Sequence, residues 1–224
     1  MRGPDHGQHP PAVSASRLGG LRAVYRVRAG VELVLASASP RRQDFLRRLG
    51  LAFKGAPAQV DESLLPGEPA QEAARRLAGQ KARAVAMAWP GAAVLAADTL
   101  VVLDQHILGK PLDREDARRM LGLLAGAEHQ VVTGYCLLWQ GREDCGQAVS
   151  SVRFRALSPA EIEAYLHSGE PLGKAGAYAV QGLGAALVDQ VSGSYTNVVG
   201  LPLAEVVELM LARGIIEPDA EGRP

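Results

Sequence analysis

The sequence predicts a mixed α/β domain, and three observations carry that expectation. Short apolar runs alternate with Ala- and Arg-rich stretches of helical period from residue 31 to residue 213. Helix-start signals, Ser39-Pro40, Asp113 and Ser158-Pro159-Ala160-Glu161, stand where the pattern changes. The 224 residues are 47% hydrophobic and 21% charged. Area scaling buries about 70% of the surface of such a chain, enough for a core without metal or disulfide staples.

Taken in order, residues 1–30 have no apolar periodicity and carry one acid, Asp5, beside Arg17, Arg22, Arg26 and Arg28. They read as a disordered N-terminal extension whose removal leaves activity intact. The folded domain is expected over 31–213 and a tail over 214–224. Residues 31–36 predict a strand. Residues 40–49 predict a helix with Ser39 at its N-cap, Pro40 in its first turn and Gly50 after its end. Residues 51–58 look strand-like, 69–88 form a long helix, and 93–97 a strand. Residues 100–103 and 106–108 flank Asp104-Gln105 as a hairpin. Asp113 caps a helix to residue 124, and strands follow at 130–139 and 146–156. The capping box at Ser158 opens a helix to residue 167. A strand at 185–191 and a helix at 202–213 complete the pattern.

Several function classes fall away. Lys plus Arg is 24 and Asp plus Glu is 24, whereas a protein that holds long nucleic acid by charge is usually basic. No apolar run reaches the roughly 18 residues of a membrane span. Cys136 and Cys145 form no CxxC pair and the five histidines show no metal spacing, so the cysteines read as free thiols in a reducing cytoplasm.

Four groups of residues could carry chemistry. Ser37-Ala38-Ser39-Pro40-Arg41-Arg42 joins a strand to a helix, where N–H groups, hydroxyls and guanidiniums together suit a phosphate. The same residues also suit an ordinary capped helix with surface arginines. Asp61-Glu62 and Asp98-Thr99 follow strand-like segments, and two carboxylates at strand ends could hold Mg²⁺ and orient water; each could equally be a turn or a cap. The lysines are few, and Lys81, Lys110 and Lys174 stand near these blocks, as polyphosphate ligands or plain surface residues. The glycine-rich stretch 173–184 contains Gln181, and Asn197 follows; their amides suit a base edge, and their loops suit tight connections.

Read in order, these blocks resemble the Maf-type nucleoside triphosphate pyrophosphatases. The resemblance is carried by Leu35-Ala36-Ser37-Ala38-Ser39-Pro40-Arg41-Arg42, Val60-Asp61-Glu62, Gln80-Lys81-Ala82, Ala97-Asp98-Thr99, Gly109-Lys110-Pro111, the 173–182 stretch, and Gly193-Ser194-Tyr195 with 197–202. It implies a two-lobed, Maf/ITPase-like fold, a mixed sheet with flanking helices and the active cleft between lobes. It implies hydrolysis of nucleoside triphosphates to the monophosphate and pyrophosphate with a divalent cation, Mg²⁺ or Mn²⁺. Asp98 matches the general base. Glu62, Lys81 and Lys110 match the catalytic polar set, with Glu62 and Asp98 toward the metal. Ser37 and Arg42 match phosphate contacts, and Arg41, Thr99 and Gln181 match positions tied to substrate choice. The block Gly176 to Gly182 resembles the dTTP/UTP branch rather than the 7-methyl-GTP branch. The resemblance also implies a cytoplasmic house-cleaning role and a homodimer. A 7-methyl-GTP pyrophosphatase and a nucleotide-binding regulator of septum formation are the competing readings.

Overall fold

Strand β4 (Ala93–Leu103) is the spine of the molecule, whose computed structural model describes residues 23–220. The sequence places two strands here with Asp98-Thr99 between them, but the backbone runs straight through. Asp98 therefore sits in mid-strand rather than at a strand end. Along one edge, β2 (Leu33–Leu35) pairs in parallel with Ala93–Leu95, and further on β5 (His106–Leu108) pairs antiparallel with Val101–Leu103. Between those two partners, residues 96–100 lack a strand neighbour on that edge. Along the other edge β6 (Glu128–Trp139) pairs with β4 from Val94 to Val102. Then come β7 (Arg142–Phe154) and β8 (Val188–Ser192), both antiparallel, while the short β3 (Lys54–Gly55) extends the parallel end. The result is one seven-stranded mixed sheet in the order β3-β2-β4-β6-β7-β8, with β5 beside β4.

The pleat sorts the apolar residues onto two faces. Leu33, Leu35, Ala93, Leu95 and Ala97 face α1 (Pro40–Arg48) and α6 (Leu203–Ala212), which add Phe45, Leu46, Val206 and Met210. Val34, Val94 and Ala96 face α2 (Ala70–Ala86) through Ala78, Ala82 and Val85. Beyond the unpaired stretch, Val101, Val131, Val152 and Phe154 pack on α3 (Arg114–Leu124) and α4 (Pro159–His167). One face thus lies under α2, whose first half covers Leu100 and Val132. The other face is divided between two helix pairs, and the gap between them is where a ligand can enter. Gly134 on β6 allows α2 to lie this close: a Cβ there would stand 2.2 Å from the Ala74 backbone.

Local signals act where the sequence places them. Asp113 accepts the Asp116 N–H, and Ser158 with Glu161 closes the capping box of α4. Ser39 occupies the N-cap of α1, but its side chain makes no cap bond. The β6–β7 hairpin closes two residues apart on Gln140 and Gly141, both at positive φ, so β7 starts four residues earlier than its apolar pattern suggests. The strand expected over 51–58 shortens to β3, and that expected over 185–191 begins as a 3₁₀ turn, Leu183–Leu187. A short helix, α5 (Tyr195–Val199), has no periodic pattern and is not predicted.

Two expectations change. Cys136 and Cys145 are not free thiols: they stand directly opposite each other on β6 and β7, Cα atoms 4.0 Å apart, and form a disulfide. A separation of nine residues in sequence gives no hint of this until the hairpin register is known. The domain edges also differ. Within the stretch assigned to the extension, residues 25–27 form β1 (Tyr25–Val27), which pairs antiparallel with β9 (Ile216–Pro218) in the assigned tail. Tyr25 and Val27 pack against the core that holds Ile215 and Ile216. Residues 1–22 and 221–224 lie outside the described residues.

Candidate active site

The gap along the β4 edge opens into a cleft of about 550 Å³. The nine residues that the resemblance assigns to the site line it: Ser37, Arg41, Arg42, Glu62, Lys81, Asp98, Thr99, Lys110 and Gln181. Lys174 lines it too. The topology explains the convergence. Ser37 and the two arginines follow β2 where it leaves the sheet. Asp98 and Thr99 lie on the unpaired stretch of β4. Lys110 follows β5, Lys81 comes from α2, and Glu62 from the loop before α2.

Adjacent strand residues point to opposite faces, and Asp98 and Thr99 use this. Asp98 faces α2, where Lys81 Nζ meets its Oδ1 at 2.5 Å and Glu62 Oε1 at 2.7 Å. Lys110 Nζ reaches the other Glu62 oxygen at 3.4 Å. Two carboxylates are thus bridged by one ammonium and flanked by a second. Lys81 and Asp98 are buried while Glu62 is half exposed. Burial pushes the Glu62 carboxyl up, but the hydrogen bond and charge of Lys81 and the nearby Lys110 outweigh it and hold the group below its ordinary range.

Thr99 faces the other way, into a hydrogen-bonded network. Its hydroxyl meets Thr133 Oγ1 at 2.9 Å and accepts from Arg42 Nη2 at 3.0 Å. Arg42 also donates to Ser37 Oγ, to the Ala97 carbonyl at 2.8 Å and to the Gly200 carbonyl at 2.7 Å. The Ala97 carbonyl lies on the edge that lacks a strand, so the guanidinium supplies a donor where a neighbouring strand otherwise would. Arg42 is therefore engaged by the protein on four oxygens. The expectation of a phosphate clamp applies to it less than to Arg41, whose guanidinium, among the described residues, is bonded only through Nε, to the Val199 carbonyl at 3.3 Å. Burial lowers the pKa of both guanidiniums, with Asp98 opposing it at Arg42 and Glu170 at Arg41. Ser37 Oγ accepts from Arg42 and from the Ser39 N–H, which leaves its own proton free to be donated into the cleft.

The remaining expectations divide. Gln181 is exposed on the cleft wall. Asn197 is not beside it: fully buried, its side-chain amide donates to the Val131 carbonyl and Ser150 Oγ, and its backbone carbonyl accepts from the Thr133 hydroxyl. It braces α5 against β6 and β7 instead of reading a ligand. Asp61 turns back on Ser63 and forms a loop turn. Two contributions lie within the matching blocks but have no role legible in the sequence, the Val199 and Gly200 carbonyls that hold the arginines, and the wall formed by Tyr178.

A divalent cation fits this donor set. Glu62 and Asp98 offer hard carboxylate oxygens, already converging on one cation, the Lys81 ammonium, beside space for phosphate oxygens and water. A second group, Cys136, Glu143 and Cys145, has its thiols joined in the disulfide and offers no such site.

The sequence pattern of the family described as "Maf-like protein" matches residues 32–213. A protein from Anaeromyxobacter sp. (strain Fw109-5) named dTTP/UTP pyrophosphatase is 54% identical over 200 residues, covering 86% of this chain and 95% of that protein. Its namesake from Syntrophomonas wolfei is 48% identical over 182 residues, covering 80% and 96%. Another from Symbiobacterium thermophilum is 48% identical over 183 residues, covering 82% and 94%.

Proposed function

The chain belongs to the Maf family, and from that premise we propose that it hydrolyses dTTP and UTP between the α and β phosphates, releasing the monophosphate and pyrophosphate. The observation that carries this reading is a single cleft holding the Glu62–Lys81–Asp98 bridge, further cations and an exposed amide.

The roles follow from position. Arg41, Lys110 and Lys174 line the cleft and would neutralise the triphosphate, with the Ser37 hydroxyl donating to a phosphate oxygen. Arg42 holds Ser37, Thr99 and the β4 edge in register. Asp98 would accept a proton from the attacking water as its oxygen bonds to the α phosphorus and the bond to the bridging oxygen breaks. Lys81 bridges Asp98 and Glu62 and helps hold Glu62 in its charged form. Glu62 and Asp98 would hold a divalent cation, Mg²⁺ or Mn²⁺, which when bound neutralises phosphate charge and polarises a phosphoryl oxygen. Gln181 would meet the base edge. The reaction belongs with the nucleotide pool of the cytoplasm; among the described residues no helix is long and apolar enough to cross a membrane.

The test is a screen of dTTP, UTP, CTP, GTP, ATP and 7-methyl-GTP with Mg²⁺ or Mn²⁺, reading pyrophosphate and orthophosphate separately. The expected result is pyrophosphate from dTTP and UTP, abolished by EDTA. Asp98→Asn should lower kcat by about 10²–10⁴-fold with the fold intact. Orthophosphate as the first product, a preference for 7-methyl-GTP, or near-normal turnover by a folded Asp98→Asn protein would each overturn a stated part of the reading.

A further inference from the structure

The cleft wall that carries Gln181 has little regular structure of its own. Residues 175–187 contain two 3₁₀ turns, Ala175–Ala177 and Leu183–Leu187, and no strand or α-helix. Side chains fix its course instead. Tyr165, buried on α4, donates its hydroxyl to Glu170 Oε1 at 2.7 Å and accepts the Ala179 N–H at 3.3 Å. Glu170 then accepts the N–H of Gly184 at 2.8 Å and that of Leu183 at 3.0 Å. Its backbone carbonyl accepts from Lys174 Nζ. The loop is wound around this Tyr165–Glu170 post, and the glycines mark how closely. A Cβ on Gly182 would stand 2.1 Å from Glu170 Oε2, and one on Gly184 would stand 2.7 Å from the Tyr165 hydroxyl. Gln181 lies between the two tied points, Ala179 and Leu183. Neither Tyr165 nor Glu170 lines the cleft.

We propose that Glu170, with Tyr165, is a positioning residue for Gln181 and thereby sets the choice among pyrimidine bases. This rests on the pyrimidine triphosphate reading above. The chemical reason lies in the amide. Uracil and thymine present a carbonyl and a ring N–H side by side, while cytosine presents an amino group and a bare ring nitrogen. A glutamine amide can serve either pattern by turning over. Discrimination therefore requires that the residue be held in one place, and the post ties the backbone on both sides of it, across the turn that the Gly182 N–H closes on the Ala179 carbonyl at 3.2 Å. Burial pushes the Glu170 carboxyl up, but the two N–H donors and the Tyr165 hydroxyl outweigh that and keep it charged, in the form that grips best.

The test compares wild type, Glu170→Gln, Tyr165→Phe, Gln181→Ala and the double variant Glu170→Gln/Gln181→Ala, with kcat and KM for UTP and CTP. Glu170→Gln should raise KM for UTP about tenfold and cut the UTP-over-CTP preference about tenfold, with kcat within about twofold. Tyr165→Phe, which removes one donor and spares the carboxylate, should shift both in the same direction by less. In the Gln181→Ala background Glu170→Gln should add nothing to the loss of preference, since the two act through one contact. An unchanged preference in folded Glu170→Gln and Tyr165→Phe proteins would overturn the proposal, as would an effect of full size in the Gln181→Ala background. A wild-type protein that turns over neither UTP nor dTTP refutes the underlying reading and the proposal with it. UTP turnover with an indifferent Glu170 refutes the positioning role alone.

Discussion

At the scale of single residues, the molecule separates cations that hold the protein from cations left for a ligand. Arg42 is a guanidinium because four oxygens on three segments surround it; a lysine, with one compact ammonium, could not reach them together. His129 shows the opposite treatment of charge. It is 2% exposed, its Nε2 meets the Tyr178 hydroxyl at 2.8 Å, and Phe154 and Tyr178 stand edge-on to its ring. Its Nδ1 has no partner among the described residues. Burial pushes its pKa from 6.5 down to about 4, so the folded state keeps it neutral. Between those values the unfolded chain binds more protons than the folded one, and stability must fall as pH falls through that window. Urea unfolding at pH 7 and pH 5 should show a loss of about 2 kcal/mol in wild type, largely absent in His129→Leu.

At the scale of elements, the site depends on how close α2 lies to the sheet. Lys81 is delivered from the same helix whose Ala74 backbone packs over Gly134, and Gly134 is the β6 partner of Asp98. The glycine therefore sets the helix height that brings an ammonium to that carboxylate. Gly134→Ala puts a methyl where there is no room and must lift the helix. The expected cost is about 1–3 kcal/mol, with a lower Tm and a clear fall in kcat. A variant equally destabilised at a distant core position should keep its kcat at 25 °C, and that comparison separates helix height from general loss of stability.

At the scale of the whole molecule, the two ends of the described chain close on one another. The β1–β9 pair lays Tyr25 and Val27 on the core beside Ile215 and Ile216. Removing residues 1–30 takes away β1 as well as the segment ahead of it. That deletion should cost about 3 kcal/mol and lower Tm by about 6–12 °C, while activity at 25 °C persists because β1 contributes nothing to the cleft. Thermal unfolding and nucleotide turnover of the same truncated protein check both halves. The Cys136–Cys145 bond is a second tie of this kind, since it joins two strands that the register already places face to face.

The amino-acid sequence by itself determined the mixed α/β class, the helices that start at Pro40, Arg114 and Pro159, and the set of polar residues that meet in one cleft. These were legible because caps, periodicity and ordered blocks are local: each is written within a few consecutive residues. What the tertiary structure alone decided is contact between distant segments. The unpaired edge of β4, the Ala97, Thr99 and Gly200 oxygens around Arg42 and the burial of Asn197 join residues far apart in the chain, and the Tyr165–Glu170 post joins α4 to a loop with no pattern of its own. The disulfide needed the hairpin register, and β1 needed a partner nearly two hundred residues away. A short strand such as Tyr25–Val27 has too few residues to show a period. Its stability comes from the surface it covers, and that surface exists only once the chain has folded.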